Sequence, residues 1–226
     1  MSESHPLQYV GTAAQRPWDA QLARRLITPL KDSWVTPNNL TTVRLCVGLG
    51  AAAAFLPGTY GWSNLAALLL IVSNFLDHTD GELARISGKT SRIGHLYDLA
   101  SDAAVTILLF VAMGAGLAAK RGLLLGLPPI VPGAAAGVAI ALIFWLRMQI
   151  EDLGGKAASR QASMGGFETE DVLYLLPLVT LCNGIAPFLI SASIGAPLFA
   201  LWVIFDYRRL ARRTRPVAEQ PTVGAA

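Results

Sequence analysis

Residues 62–118 read WSNLAALLLIVSNFLDHTDGELARISGKTSRIGHLYDLASDAAVTILLFVAMGAGLA. Two apolar runs stand out, Trp62–Ile86 and Ile93–Ala118, joined by a short polar connection from Ile86 to Arg92. Each run is near the ~20 residues that a helix needs to cross a bilayer. The short connection makes the two helices antiparallel neighbours. Asp77 and Asp80 stand near the end of the first run, and Asp98 and Asp102 near the start of the second. Charged residues at such positions are costly and therefore point to function.

The rest of the chain agrees with a membrane class. Of its 226 residues, 53% are hydrophobic and 15% charged, where a soluble domain is about one-quarter charged. The mean hydropathy of +0.48 is also high for a soluble fold of this size. Further apolar segments fall at roughly Leu40–Leu56, Ile130–Leu153, Asp171–Ile185 and Pro187–Asp206, so the expected fold is all-α with six transmembrane helices. Gly and Pro mark the gaps between them, at Pro57-Gly58, Gly122 to Pro132, Gly154-Gly155 and Gly184 to Pro187. The polar start is not a cleavable signal peptide, which would need an early apolar core. Cys46 and Cys182 lie in apolar stretches far apart and read as small hydrophobes.

Basic residues orient the chain. With the N-terminus in the cytoplasm, sixteen of the 18 Lys and Arg fall on the cytoplasmic side, and Lys120 and Arg121 fall outside. The expected organisation is a cytoplasmic segment 1–35, a six-helix membrane domain 36–210 and a disordered cytoplasmic tail 211–226, in the cell (inner) membrane, with both termini cytoplasmic. Within the first segment, Trp18, Leu22, Leu26, Leu30 and Trp34 recur every four residues. This apolar stripe with Trp at both ends predicts an amphipathic helix lying in the interface.

Spacing gives the carboxylates their meaning. On a helix, Asp80, Gly81 and Ala84 lie within about 60°, 40° and 20° of the direction of Asp77. Gly94, Asp98 and Asp102 are four apart and share a face of the next helix. Four carboxylates can thus converge from two facing helices, and like charges so placed need counter-cations. An all-oxygen set without His or Cys selects a hard ion such as Mg²⁺ or Mn²⁺. Two such ions about 3.5–4 Å apart suit displacement at phosphorus. Gly81, Ala84 and Gly94 leave room above them for a diphosphate, and Arg85 offers it a fixed cation.

The run Asp77-His-Thr-Asp80-Gly81-Glu-Leu-Ala84-Arg85, followed by Gly94, Asp98 and Asp102, resembles the D-x-x-D-G-x-x-A-R-x8-G-x-x-x-D-x-x-x-D signature of CDP-alcohol phosphotransferases, with all eight fixed positions present. The stretch Thr36-Pro37-Asn38-Asn39-Leu40-Thr41-Thr42-Val43-Arg44 resembles the lead-in to that family's first membrane helix. The resemblance implies transfer of a substituted phosphoryl group from a CDP-alcohol to an acceptor hydroxyl, with release of CMP. It implies two divalent cations bound by Asp77, Asp80 and Asp98, with Asp102 as a further ligand and the general base. It implies contacts from Gly81, Ala84, Arg85 and Gly94 to the CDP moiety, and a homodimer. CDP-diacylglycerol is the first expectation for the donor. A small CDP-polyol or CDP-amino-alcohol delivered to a lipid or polyol phosphate is the alternative, and Glu82 after the glycine resembles members using CDP-inositol.

Other charges admit plainer readings. Arg147, Lys156 and Arg160 suit either an acceptor phosphate or simple orientation. Glu168, Glu170 and Asp171 suit either an acceptor or helix capping. A cation transporter would also carry intramembrane carboxylates, but nearer the bilayer midplane and on broken helices. No feature calls for nucleic acid.

Overall fold

The computed structural model describes residues 24–89, 91–120, 122–154 and 175–214. Among these the chain is helical, with no strand beyond an isolated bridge between Leu124 and Leu127. A helical turn at 24–27 runs into a 3-10 helix, Thr28–Leu30. There follow α1 (Pro37–Phe55), α2 (Tyr60–Ser87), α3 (Arg92–Ala118), α4 (Ile130–Gly154), the short α5 (Leu176–Leu181) and α6 (Ile185–Thr214).

The helix ends follow from their residues. Thr36 caps α1, its hydroxyl accepting from the Asn39 amide, and Pro37 takes the first turn, where a missing N–H costs nothing. Gly58, at φ +61°, turns the chain between α1 and α2 and lies so close to the Gly116 carbonyl that any side chain would strike it. Gly88, at φ +66°, ends α2 in the left-handed conformation, and the Ser91 hydroxyl accepts from the Gly94 amide to begin α3. The short connection expected between the two carboxylate-bearing helices is therefore built from a glycine stop and a serine start.

Small residues set the packing. α1 lies against both α2 and α3, α3 against α4, and α4 against α6; α2 and α3, expected as neighbours from their short connection, each pack against α1 instead. Ala51, Ala52, Ala66 and Ala67 are buried between α1 and α2 beside Phe55 and Leu70. Gly133 and Gly137 bring α4 onto the backbone of α3 at Phe110 and Ile107. Close approach through Gly and Ala is how membrane helices gain dispersion contacts without a hydrophobic drive. A second core between α4 and α6 holds Ile143, Leu146, Ile150 and Val203.

Many outward side chains are apolar, including Leu68, Leu108, Val138, Leu198, Leu201 and Phe205. Among the described residues, three stretches, Arg92–Ala118, Ile130–Ile150 and Ile185–Arg212, are long and apolar enough to cross a membrane, where six spans were expected. An apolar exterior on helices of this length is what a lipid solvent demands. α6 begins and ends beyond the expected Pro187–Asp206, and α5 covers part of the expected Asp171–Ile185, whose start lies outside the described residues. The expected interfacial helix is described only from Arg24. There Ile27 is buried, while Leu26 and Trp34 are exposed.

Candidate metal and diphosphate site

The carboxylates meet where α1, α2 and α3 converge. Asp77, Asp98 and Asp102 each present an oxygen within 4.8 Å of the other two. Arg44, from α1, stands among them with only 4% of its side chain exposed. Its guanidinium pairs with Asp77, with Asp98 Oδ1 at 2.9 Å and with Asp102 Oδ1 at 2.8 Å. It also donates to the Asp98 carbonyl at 3.2 Å. α1 brings Arg44 here because Gly48, one turn on, lets α1 approach Val105 of α3, and because the Ser73 hydroxyl of α2 donates to the Arg44 carbonyl at 3.1 Å.

Asp80 does not join this trio. It is 6% exposed and accepts a hydrogen bond from Thr41 Oγ1 of α1 at 2.9 Å. It lines a cleft of about 200 Å³ together with Gly81, Ala84, Gly94, Lys89 and Asn38. The trio lines a second cleft of about 260 Å³, with Leu99, Phe144 and Met148 on its apolar side. Asp98 and His95 border both clefts. The four carboxylates therefore occupy one region but face two spaces that adjoin at Asp98.

The glycines differ in what they do. A side chain on Gly81 would meet nothing within 4 Å, so that glycine borders open space. A Cβ on Gly94 would come 2.7 Å from Asn38 Oδ1, so that glycine admits the Asn38 side chain from α1. Arg85 is largely exposed and donates to the buried Glu82 at 2.5 Å. Lys89 Nζ donates to the Ser33 carbonyl at 2.9 Å, tying the segment before α1 to the α2–α3 connection.

The donor set fits a hard divalent cation. It is made of carboxylate oxygens, and one guanidinium faces four potential negative charges. Asp98 Oδ1 is buried, accepts no hydrogen bond and lies 2.9 Å from Arg44 Nη2, so its charge is met by a cation and not by neutral donors. His78 Nδ1 is bonded to the Asn74 carbonyl within its own helix.

Arg147 places its guanidinium over the Phe199 ring of α6, 5.9 Å from the centroid. Lys156, Arg160, Glu168, Glu170 and Asp171 lie outside the described residues. Sequence reasoning missed Arg44, Thr41 and Asn38 as parts of the site. The available signal is an arginine inside an apolar span, three residues after a threonine.

A family model described as CDP-alcohol phosphatidyltransferase matches residues 34–205. Archaetidylinositol phosphate synthase of Pyrococcus horikoshii is 35% identical over 101 residues, 44% of this chain and 52% of that protein. Cholinephosphotransferase 1 of Danio rerio is 34% identical over 90 residues, 36% of this chain and 23% of that protein. The matched part thus spans about half or less of these relatives' length. A crystal structure of Mycobacterium tuberculosis phosphatidylinositol phosphate synthase with CDP-DAG bound superposes with a TM-score of 0.54 at 18% identity, over 90% of this chain and 98% of that one. A second structure of that protein, in complex with manganese and citrate, gives 0.53 at 17% identity, over 90% and 93%. At such identities the likeness is one of fold.

Proposed function

Because this chain belongs to the CDP-alcohol phosphatidyltransferase family, we propose that it transfers a substituted phosphoryl group from a CDP-alcohol to an acceptor hydroxyl and releases CMP. The observation that carries this reading is the convergence of Asp77, Asp98 and Asp102 beside a second cleft walled by Asp80, Gly81, Ala84 and Gly94. One space suits the reacting centre and the other the nucleotide, and they adjoin at Asp98. Two divalent cations, Mg²⁺ or Mn²⁺, held by Asp77, Asp80, Asp98 and Asp102, would neutralise charge on the diphosphate and acidify the attacking hydroxyl.

The chain's own residues do the rest. Asp102 accepts the proton of the acceptor hydroxyl. The oxygen so freed bonds to the phosphorus that carries the donor's alcohol. The bond from that phosphorus to the bridging oxygen breaks, and CMP leaves with the electron pair. Gly81 and Ala84 leave room for the cytidine diphosphate, and Gly94, which admits Asn38, stands in the wall of the same cleft. The several N–H groups of Arg85 allow it to keep Glu82 and still reach a diphosphate oxygen.

CDP-diacylglycerol is the preferred donor. In support, the cleft lined by Asp77, Asp98 and Asp102 has Leu70, Leu99, Val105 and Phe144 in its wall. An apolar cleft between α3 and α4, lined by Leu96, Ala103, Ala141 and Trp145, adjoins it. A small CDP-polyol or CDP-amino-alcohol donor with a lipid acceptor would use the same apolar walls from the acceptor side.

The same reading takes α1, α2 and the segment Asp171–Ile185, of which α5 is a described part, as further membrane spans, six in all, and the helical turns at 24–30 as the end of an interfacial helix. Both termini and the site face the cytoplasm of the cell membrane, and two chains form a homodimer. The deciding experiment incubates purified protein with Mn²⁺ and a panel of CDP-alcohols and acceptors, and detects CMP. Release is expected with at least one donor–acceptor pair and not after chelation. No CMP from any pair would overturn the reading.

A further inference from the structure

The structure assigns Arg44 a role as the counter-charge that occupies the carboxylate trio until divalent cations displace it. Its guanidinium is buried, comes from a different helix, and pairs with Asp77, Asp98 and Asp102 at once. A buried arginine is held in such a place only by carboxylates, and the carboxylates are held together only by a cation. A divalent ion bonds carboxylate oxygens at about 2.0–2.6 Å, closer than the 2.8 and 2.9 Å contacts that Arg44 makes with Asp102 and Asp98. An ion bonded to these oxygens would lie against the guanidinium, with no ligand between the two positive charges to offset their repulsion. Metal entry is thus an exchange, in which Arg44 yields its three partners as the ion takes them. This rests on the metal site proposed above.

The exchange has a consequence of definite sign. With Arg44 in place, the metal-free site is neutralised in part and stable, and the ion must first remove a good partner. With Arg44 made neutral, the metal-free site holds mutually repelling carboxylates, and the ion has nothing to displace. Arg44→Met should therefore lower the melting temperature of the chelator-stripped protein. It should also bind Mn²⁺ more tightly, by roughly tenfold, the scale on which residues contacting metal ligands alter affinity. Arg44→Lys keeps the charge and should stay near the wild type in both measurements.

The experiment titrates Mn²⁺ into stripped wild-type, Arg44→Met and Arg44→Lys proteins in detergent, reading free Mn²⁺ by electron paramagnetic resonance, with thermal unfolding alongside. Tighter binding by Arg44→Met, with Arg44→Lys near wild type, is the expected result. Equal or weaker binding by Arg44→Met would overturn the inference and make Arg44 a fixed support for the ligands. If Arg44→Met folds only with metal, it is purified with Mn²⁺ and the chelator concentration that strips it is compared with the wild type. A higher concentration supports exchange, and an equal or lower one overturns it. A wild-type protein that binds no Mn²⁺ would show the metal reading itself to be wrong before any variant is compared.

Discussion

Asp98 is the residue on which the two clefts depend, since it borders both and carries an oxygen without a hydrogen bond. Asp98→Asn keeps the shape and removes a charge. Turnover should fall by at least about 10²-fold, while the purified protein stays monodisperse. A variant with the wild-type rate would remove Asp98 from the site. Asp102 borders the cleft proposed for the reacting centre and the apolar cleft beside it, but not the cleft proposed for the nucleotide. Asp102→Asn should keep most of its affinity for the CDP-alcohol and lose roughly 10²–10⁴-fold in single-turnover rate, the usual contribution of a general base. Arg85→Ala should show the opposite division, with weaker donor binding and a smaller loss of rate at saturation. Loss of donor binding by Asp102→Asn would make Asp102 chiefly a ligand.

Two helices meeting through glycine decide whether such residues keep their places. Gly133 of α4 faces the Phe110 carbonyl of α3, and any Cβ there would strike it. Gly133→Leu must push α4 away from α3, and the expected cost is about 1–3 kcal/mol of stability. Phe144, on α4 in the wall of the reacting cleft, would shift with the helix, so turnover should fall as well. Gly195 of α6 has nothing within 4 Å of its Cβ position. Gly195→Leu should leave both properties nearly unchanged. Melting temperature in detergent and CMP release check the pair, and equal effects from the two substitutions would refute the packing argument.

At the scale of the molecule, the proposed orientation follows from charge. Sixteen of the 18 Lys and Arg fall on one side of the expected topology, and short basic loops stay cytoplasmic. A tag on the C-terminus should therefore be cut by protease only after the membrane is opened. Cutting of intact cells from outside would reverse the topology and place the site on the other face.

The sequence by itself determined the membrane class, the two carboxylate-bearing helices with the short connection between them, and the presence of Asp77, Asp98 and Asp102 in one place; it did not determine that each of these helices packs against α1 rather than against the other. What it did determine depends on composition and on helical period within two elements joined by a short connection, and both are local quantities. Asp80 was read onto the same face as Asp77, yet its carboxylate turns to Thr41 and a separate cleft. Arg44 stands 33 residues before Asp77 in the chain. Its arrival among the carboxylates is a matter of which face of α1 meets α2 and α3. That choice is made by the contact of Gly48 with Val105 and of Ser73 with the Arg44 backbone. No periodicity within α1 announces it, because a helix shows what lies on each of its faces but not which neighbour each face will meet. Only the packed structure decides that, since close approach of helices is settled by the fit of small residues from distant parts of the chain.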